Sequence, residues 1–436
     1  MPSDNVRVGI IGLGTVGTGV VRILRKRAAS LETHLGARID VRGIAVRDVT
    51  KARGVETADG ILTDDAGELV RRDDIDIVVE LMGGTGAAKT FVLDAIRHGK
   101  HVVTANKALI ALEGKDVFDA AHRHRVGVYL EASVAGGIPI VRSLHEGLAA
   151  NEIESVYGIL NGTCNYILTQ MSAHGEAYDT ALAKAQKLGY AEADPTFDVG
   201  GNDTAHKLAI LSSLAYGFNV DSDRVFCEGI DGLEIADIEY ARELGYTIKL
   251  LGISQRDGDH VSIRVHPTMI PDTSVLANVN DAFNAVAVVG DAVGPTLFYG
   301  QGAGELPTAS AVVSDLIDAA RAVITGSPAE IPACWDPDRA VSAPIEAMDS
   351  CESRYYLRLQ VEDRPGVLAD IGAILGRHAI SMSAVIQKAP HCEDSVPLVL
   401  LTHRAVEGNL QAALSEISDL PCTRLPNVCI RVETDM

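Results

Sequence analysis

The sequence predicts an α/β protein: a doubly wound parallel sheet first, then a mixed α+β region, then a small βαββαβ unit. Three observations carry this. Over residues 6–131, short apolar runs alternate with helical patterns, and strands alternating with helices form a parallel sheet covered on both faces. From about residue 150 the texture shifts to longer helices mixed with strands. From 355 onward the order is strand, helix, strand, strand, helix, strand, which is ferredoxin-like.

Residues 6–11 (VRVGII) read as the first strand and 15–27 as the first helix, ending on Arg25, Lys26 and Arg27. Buried strands are predicted at 39–46, 75–81, 101–104 and 126–131, with helices at 87–98 and 115–125. The middle region has helical patterns at 164–174, 177–188, 203–216 and 234–244, with strands at 155–160 and 259–265. A helix at 306–325 should pack back onto the first sheet. Residues 326–350 carry Pro328, Pro332, Pro337, Pro344 and Trp335 and read as an ordered, irregular linker. The last unit has strands at 355–361, 380–389, 396–403 and 428–433 and helices at 366–377 and 407–417.

At 436 residues the chain calls for two or three domains. Its formal charge of −21 argues against nucleic-acid or acidic-membrane partners. Cysteines 164, 227, 334, 351, 392, 422 and 429 are odd in number and never spaced C-x-x-C, so free thiols are expected rather than disulfides or zinc. No run approaches a membrane span, and Met1-Pro2-Ser3-Asp4 leaves no room for a signal peptide. A soluble cytoplasmic enzyme is the expectation.

Gly12-Leu13-Gly14-Thr15-Val16-Gly17 is G-x-G-x-x-G between an apolar strand and a helix. Such glycines permit a tight turn and let a pyrophosphate approach the helix N-terminus. A Rossmann-type nicotinamide-dinucleotide site follows. The second strand ends Ala45-Val46-Arg47-Asp48, with Lys51 and Arg53 beyond. Asp48 could serve NAD, while Arg47 with Lys51 or Arg53 could hold a 2′-phosphate; charge favours NADP over NAD.

Two clusters offer chemistry. Thr104-Ala105-Asn106-Lys107 follows a buried strand, whose carboxyl end faces the ligand crevice of an open parallel sheet. The second runs from Gly189 through Glu192, Asp198 and Gly200-Gly201 to Asp203 and Lys207. Asp203 and Lys207, spaced i, i+4, share the face of a helix that is apolar all round. Such a helix is buried, its charges are desolvated, and a lysine among carboxylates is a candidate proton carrier.

These residues resemble the homoserine dehydrogenase family. The run from Gly189 to Leu211 is similar to its signature, and GLGTVG at 12–17, VVTANKALIA at 102–111 and NGTCNYIL at 161–168 are similar to its other motifs, in its order. The resemblance implies reversible NAD(P)H-dependent reduction of L-aspartate 4-semialdehyde to L-homoserine, in threonine, methionine and isoleucine biosynthesis. It implies that Lys207 exchanges the proton with the substrate oxygen, that Lys107 is the second catalytic lysine at the cofactor–substrate junction, and that Thr104 and Lys107 are among the cofactor-binding residues. It implies that Glu192 and Asp203 bind the substrate ammonium with support from Asp198, and that Gly162 and Thr163 contact the substrate. Gly302-Ala303-Gly304 resembles the family's glycine loop, which implies that Gly304 closes over the nicotinamide. Glu131, Val134, Gly136 and Ile138 match a monovalent-cation loop, for Na+. Two departures stand out: Cys164 where the family often has threonine, and Gly84-Thr85-Gly86-Ala87 in place of an acidic-Pro turn. Cys164 also admits a rival, an aldehyde dehydrogenase working through a thiohemiacetal; a non-catalytic amino-acid sensor is a second alternative.

Asp363-Arg364-Pro365-Gly366-Val367-Leu368 resembles the turn of the ACT domain, which binds amino acids that regulate biosynthetic enzymes. Asp363 and Gly366 are the regulatory candidates, with L-threonine as the effector and a homodimer or tetramer as the assembly. The chain thus divides into a dinucleotide domain over 1–132, a catalytic domain over 133–325, a linker over 326–353 and an ACT domain over 354–436.

Overall fold

A computed structural model describes residues 5–327, 331–336, 344–388 and 395–434. The leader reading at Met1–Asp4, linker prolines 328 and 337, and Cys392 lie outside these residues. The chain forms two compact units, one of residues 1–156, 206–224 and 284–343, the other of 157–205, 225–283 and 344–436.

In the first unit the predicted alternation appears as β1 (Asn5–Ile11), α1 (Thr15–Lys26), α2 (Ala28–Leu35), β2 (Arg38–Ala45), β3 (Leu62–Thr63), α3 (Ala66–Arg71), β4 (Ile77–Glu80), α4 (Gly86–Arg97), β5 (His101–Thr104), α5 (Lys107–His124) and β6 (Val128–Tyr129). The sheet is parallel, in the order β3-β2-β1-β4-β5-β6. That is the Rossmann order: the order of strand addition reverses between β1 and β4, and the reversal opens a crevice at their carboxyl ends. The strand expected at 126–131 shrinks to two residues, because a 3-10 turn over Glu131–Ser133 takes the chain out of the sheet. The helix expected at 115–125 begins at Lys107 instead, where Asn106 caps it by accepting the Leu109 N–H at 3.1 Å.

A short helix α6 (Ile140–Arg142) and strand β7 (Ile153–Ile159) follow; α7 (Gly162–His174), α8 (Tyr178–Leu188), α9 (Thr196–Val199) and α10 (Asn202–Tyr216) come next. Then come β8 (Phe226–Cys227), α11 (Ile235–Glu243), β9 (Tyr246–Asp257), β10 (His260–Pro271), β11 (Phe283–Gly290), β12 (Gly294–Gln301) and α12 (Glu305–Thr325). Residues Ala309, Val312, Leu316 and Ala320 of α12 share one core with Val6, Val8 and Ile10 of β1 and Val20 and Leu24 of α1. Contact is close: a Cβ at Gly19 would stand 2.7 Å from the Glu305 carbonyl oxygen.

The last elements are β13 (Glu352–Val361), α13 (Val367–Arg377), β14 (Met382–Gln387), β15 (Val396–Thr402), a two-residue β16 (Ala405–Val406), α14 (Glu407–Ser418) and β17 (Thr423–Val432). Within the second unit the strands lie in the order β9-β10-β17-β13-β15-β14. The final four positions are the antiparallel ferredoxin-like arrangement expected for this segment. Its core packs Tyr355, Leu357 and Leu359 against Ile371, Leu375, Leu410 and Ile417.

Candidate active site

The glycine fingerprint forms the turn that its spacing demands. Gly12 has a φ of +103°, and a Cβ there would stand 2.7 Å from the Leu81 carbonyl oxygen. At Gly17 a Cβ would be 2.3 Å from the Gly12 carbonyl oxygen, so the third glycine seats helix against turn. Gly14 differs: a Cβ there would meet no protein atom within 4 Å. It borders a cavity of about 1060 Å³ that Leu13, Arg47, Lys51, Arg53, Met82 and Phe91 also line. Gly14 is the N-cap of α1, with Thr15 and Val16 in the first turn, no side-chain cap and no acid there. The amide groups of that turn are suited to an anion, and the cradle fits a dinucleotide pyrophosphate.

At the far end of the cavity the charges have sorted themselves. Asp48 accepts from the Thr50 amide at 2.8 Å and hydroxyl at 2.6 Å; these bonds hold its carboxyl below the usual range. Arg53 donates to the carbonyls of Asp48 and Lys51. Among the described residues, the side chains of Arg47 and Lys51 have no hydrogen-bond or ion-pair partner, and both border the cavity.

Between β4 and α5 lies a network the sequence reading did not single out. Glu80, fully buried at the carboxyl end of β4, accepts from the amides of Met82 at 2.9 Å and Gly83 at 3.2 Å. It also accepts the Thr104 hydroxyl at 2.7 Å. Thr104 in turn accepts the Asn106 amide at 3.0 Å, and the Asn106 side chain donates to the Gly84 carbonyl at 2.7 Å. Lys107 is thereby the first residue of a capped helix. The departed loop at 84–87 is tied to the same network, with Gly83 and Gly84 both at φ +72°.

In the second unit, Asn161 organises the acids. It caps α7 by accepting the Cys164 amide at 2.8 Å, and its Nδ2 donates to Asp198 and to Asp203, each at 2.8 Å. One amide bridging two carboxylates holds like charges together, an arrangement that favours a cation. Asp203 is only 2% exposed. Lys207 lies one turn further along α10 but is half-buried, less desolvated than the all-apolar pattern implies. The Thr163 hydroxyl donates to the Tyr190 carbonyl at 2.6 Å, and Gly162 presses against the Ala282 carbonyl, 2.8 Å from a built Cβ. Glu192 is exposed, and among the described residues its carboxylate makes no hydrogen bond to this cluster. Cys164 is buried, and its thiol donates to the Asp198 carbonyl at 3.2 Å. The thiol thus does the packing and bonding work of a small hydroxyl, which speaks against the thiohemiacetal reading.

The Glu131 loop keeps its carboxylate on protein donors: the two oxygens accept the amides of Val141 and Arg142 at 2.9 and 2.8 Å. Burial raises the Glu131 carboxyl above its usual range. Ala135 and Gly136 both have φ +54°, turning successive carbonyls. The Ile138 carbonyl accepts the Ile140 amide, whereas among the described residues no backbone N–H reaches the carbonyls of Val134 or Gly136. Those two oxygens fit a monovalent cation. No cluster of three His, Cys, Asp or Glu capable of holding a metal occurs among the described residues. Gly304, at φ +132°, is the N-cap of α12.

The described cysteines are free, and no described helix is long and apolar enough to cross a membrane.

The family model described as homoserine dehydrogenase, NAD binding domain, matches residues 12–131; that of homoserine dehydrogenase matches 139–317; that of the ACT domain matches 355–422. A homoserine dehydrogenase of Neisseria gonorrhoeae is 47% identical over 98% of this chain and 99% of its own. The chain belongs to the homoserine dehydrogenase family. Another relative, a homoserine dehydrogenase of Corynebacterium glutamicum, is 43% identical over 100% of this chain and 97% of its own. The crystal structure of a homoserine dehydrogenase from Thiobacillus denitrificans superposes with a TM-score of 0.94 at 48% identity, covering 100% of both chains. A hyperthermophilic archaeal homoserine dehydrogenase in complex with NADPH has a TM-score of 0.62 at 25% identity, over 72% of this chain and 97% of its own. As a member of the homoserine dehydrogenase family, the chain is an oxidoreductase that uses a nicotinamide dinucleotide and carries an ACT domain.

Proposed function

We propose that the chain interconverts L-aspartate 4-semialdehyde and L-homoserine with NADP in preference to NAD, in the cytoplasm, on the route to threonine, methionine and isoleucine. The observation that carries the chemistry is the Asn161–Asp198–Asp203 cluster, in which Asn161 and Asp203 are buried, with Lys207 one turn further along the helix of Asp203. The carboxylates of Asp198 and Asp203, with Glu192 on the neighbouring loop, bind the substrate ammonium; Gly162 and Thr163 contact the substrate. When bound, the reduced cofactor supplies the hydride. Lys207 delivers the proton to the substrate oxygen in the reductive direction and removes it in the oxidative one. Lys107, held by the Asn106 cap and by Thr104, stands at the junction of substrate and cofactor, and Gly304 closes over the nicotinamide.

The cofactor preference rests on Arg47 and Lys51, which border the cavity without a side-chain partner among the described residues, and on Asp48, which is engaged with Thr50. A 2′-phosphate complements the two cations. In the loop of Glu131, Val134, Gly136 and Ile138, the Val134 and Gly136 carbonyls would hold Na+ in a structural role, while the Glu131 carboxylate and the Ile138 carbonyl accept protein amides. The division at residues 132, 325 and 353 into dinucleotide, catalytic, linker and ACT segments belongs to the same reading. So does assembly into a homodimer or tetramer.

A cavity of about 350 Å³ at the start of α13, lined by Asp363, Arg364 and Gly366, suits an amino-acid effector, L-threonine. Gly366 has a φ of +97° and nothing within 4 Å of a built Cβ, so a carboxylate can reach the helix N-terminus. One assay tests these claims: homoserine-dependent reduction of NADP and of NAD by the full-length protein, with and without threonine. Activity with neither cofactor would leave the sensor reading in place.

A further inference from the structure

Asp198 of α9 and Asp203 of α10 flank the Gly200–Gly201 turn, and a second loop presses upon that turn. That loop runs from β8 to Ile230. The Ile230 amide donates to the Val199 carbonyl at 2.9 Å, and the Cys227 thiol to the Gly200 carbonyl at 3.2 Å. A Cβ at Gly229 would stand 2.4 Å from the Val199 carbonyl oxygen and 2.7 Å from the Gly200 Cα. At Gly201 it would stand 2.8 Å from the Cys227 sulfur. Backbones this close leave no slack. Movement of the loop moves the turn, and with it the two carboxylates that Asn161 bridges.

The loop is itself gripped from the last strand of the βαββαβ unit. Arg431 of β17 is 3% exposed. Its Nη1 donates to the Glu228 carboxylate. Its Nε and Nη2 donate to Glu407 of α14 at 3.1 and 2.5 Å. The guanidinium lies 5.2 Å over the Phe226 ring. Around it β17 pairs in parallel with β10, Arg431 opposite Thr268, and β8 pairs with that same strand β10. A planar guanidinium serving two carboxylates in a fixed fork has one geometry.

We propose that Arg431, acting through Glu228, is a positioning residue that sets the spacing of Asp198 and Asp203, so that displacement of the last βαββαβ strand is felt at the ammonium-binding acids. The proposal rests on the reading that these acids bind the substrate ammonium, and it deepens that reading by naming how the effector unit reaches them.

Glu228→Gln in the full-length protein is the main test, since the Glu228 side chain is 42% exposed and the Arg431–Glu407 pair survives. The KM for homoserine should rise about threefold to tenfold, the size of one charge-assisted bond weakened, with kcat within about twofold and cofactor KM and Tm unchanged. Arg431→Lys, which keeps the charge but cannot span both carboxylates, should move the same parameter in the same direction. Asp203→Asn is the control for the underlying site. If Asp203→Asn raises the homoserine KM and Glu228→Gln does not, the positioning role is wrong and the site stands. If neither raises it, the ammonium site is wrong and the proposal falls with it. A Glu228→Gln protein in which Tm, kcat and both KM values worsen together would mark a merely structural contact and overturn the proposal.

Discussion

Lys207 and Asp203 share one helix but not one environment. Asp203 is sealed against Asn161, whereas Lys207 is half-buried, a position from which an ammonium can exchange protons with a bound oxygen. Lys207→Ala should lower kcat by about 10²–10⁴-fold with little change in cofactor KM, the size of a lost general acid–base; steady-state kinetics in both directions check it. Glu80 poses a different demand. Its Oε1 accepts the Met82 and Gly83 amides while its Oε2 accepts the Thr104 hydroxyl, so both ends of the group must be acceptors. A glutamine there presents an NH2 to that hydroxyl. Glu80→Gln should cut kcat by about tenfold, near 1.4 kcal/mol for a displaced bond, and adding Thr104→Val should cost little more, as coupled partners do. Additive losses in that cycle would break the link. The signature motifs pointed to Asp198, Asp203, Lys107 and Lys207 by residue type and spacing. Asn161 and Glu80 escaped because an asparagine before a helix reads as a cap and a glutamate ending a strand has no local partner. Their significance lies in contacts 24 to 42 residues away.

At the scale of elements, patterning served the alternating segments and failed the continuously buried ones. β9 is buried over seven successive residues, so its sequence carries no period-2 signal that would separate it from a helix. β10 was foreseen in part; its antiparallel partner and the hairpin of β11 and β12 were not. β9 also holds Lys249, 2% exposed, whose ammonium donates to the Val279 carbonyl at 2.6 Å and to Asn165 and Asn280 at 3.1 and 3.3 Å. Burial brings its pKa down to about 8 from 10.5. Below pH 8 both folded and unfolded chains carry this proton, and the native state bears the whole desolvation cost. Between pH 8 and 10.5 the unfolded chain binds more protons, so the Lys249 contribution to stability rises with pH, by up to about 3 kcal/mol. Urea titrations from pH 7.5 to 10 should show the wild type gaining stability relative to Lys249→Met; parallel curves would refute the shift. The linker has its own anchor. Trp335 stacks on Phe118 at 4.5 Å and donates to Asn219 at 2.7 Å. Trp335→Ala should cost about 3–5 kcal/mol, read as a fall in Tm. A truncation at residue 325 is therefore a poor test of regulation, because it strips this ring from the first unit.

The second unit is knitted as a whole. Asp237 of α11 is fully buried, and it accepts Arg358 at 2.7 and 3.0 Å and the Tyr356 hydroxyl at 3.1 Å, all from β13. Ending the chain after residue 350 removes both donors and leaves an uncompensated buried carboxylate, a loss of about 3–5 kcal/mol. Such a protein should show a depressed Tm or poor solubility, and Asp237→Asn in the shortened chain should recover part of the loss. A truncated chain as stable as the full one would mean that the βαββαβ unit is an independent appendage.

By itself the sequence determined the parallel sheet, the glycine turn, the βαββαβ order and the identities of the charged residues at the site. These rest on spacing along one chain, where periods of 2 and 3.6 and the demand for positive φ act over a few residues. Only the tertiary structure decided which of those charges meet. It turned Asp48 onto Thr50, joined Asp198 to Asp203 through Asn161 while leaving Glu192 exposed, and seated Arg431 between Glu228 and Glu407. The Asn161 and Arg431 contacts bridge long sequence separations, and burial sets their strength: a carboxylate removed from water must find a donor wherever the fold supplies one.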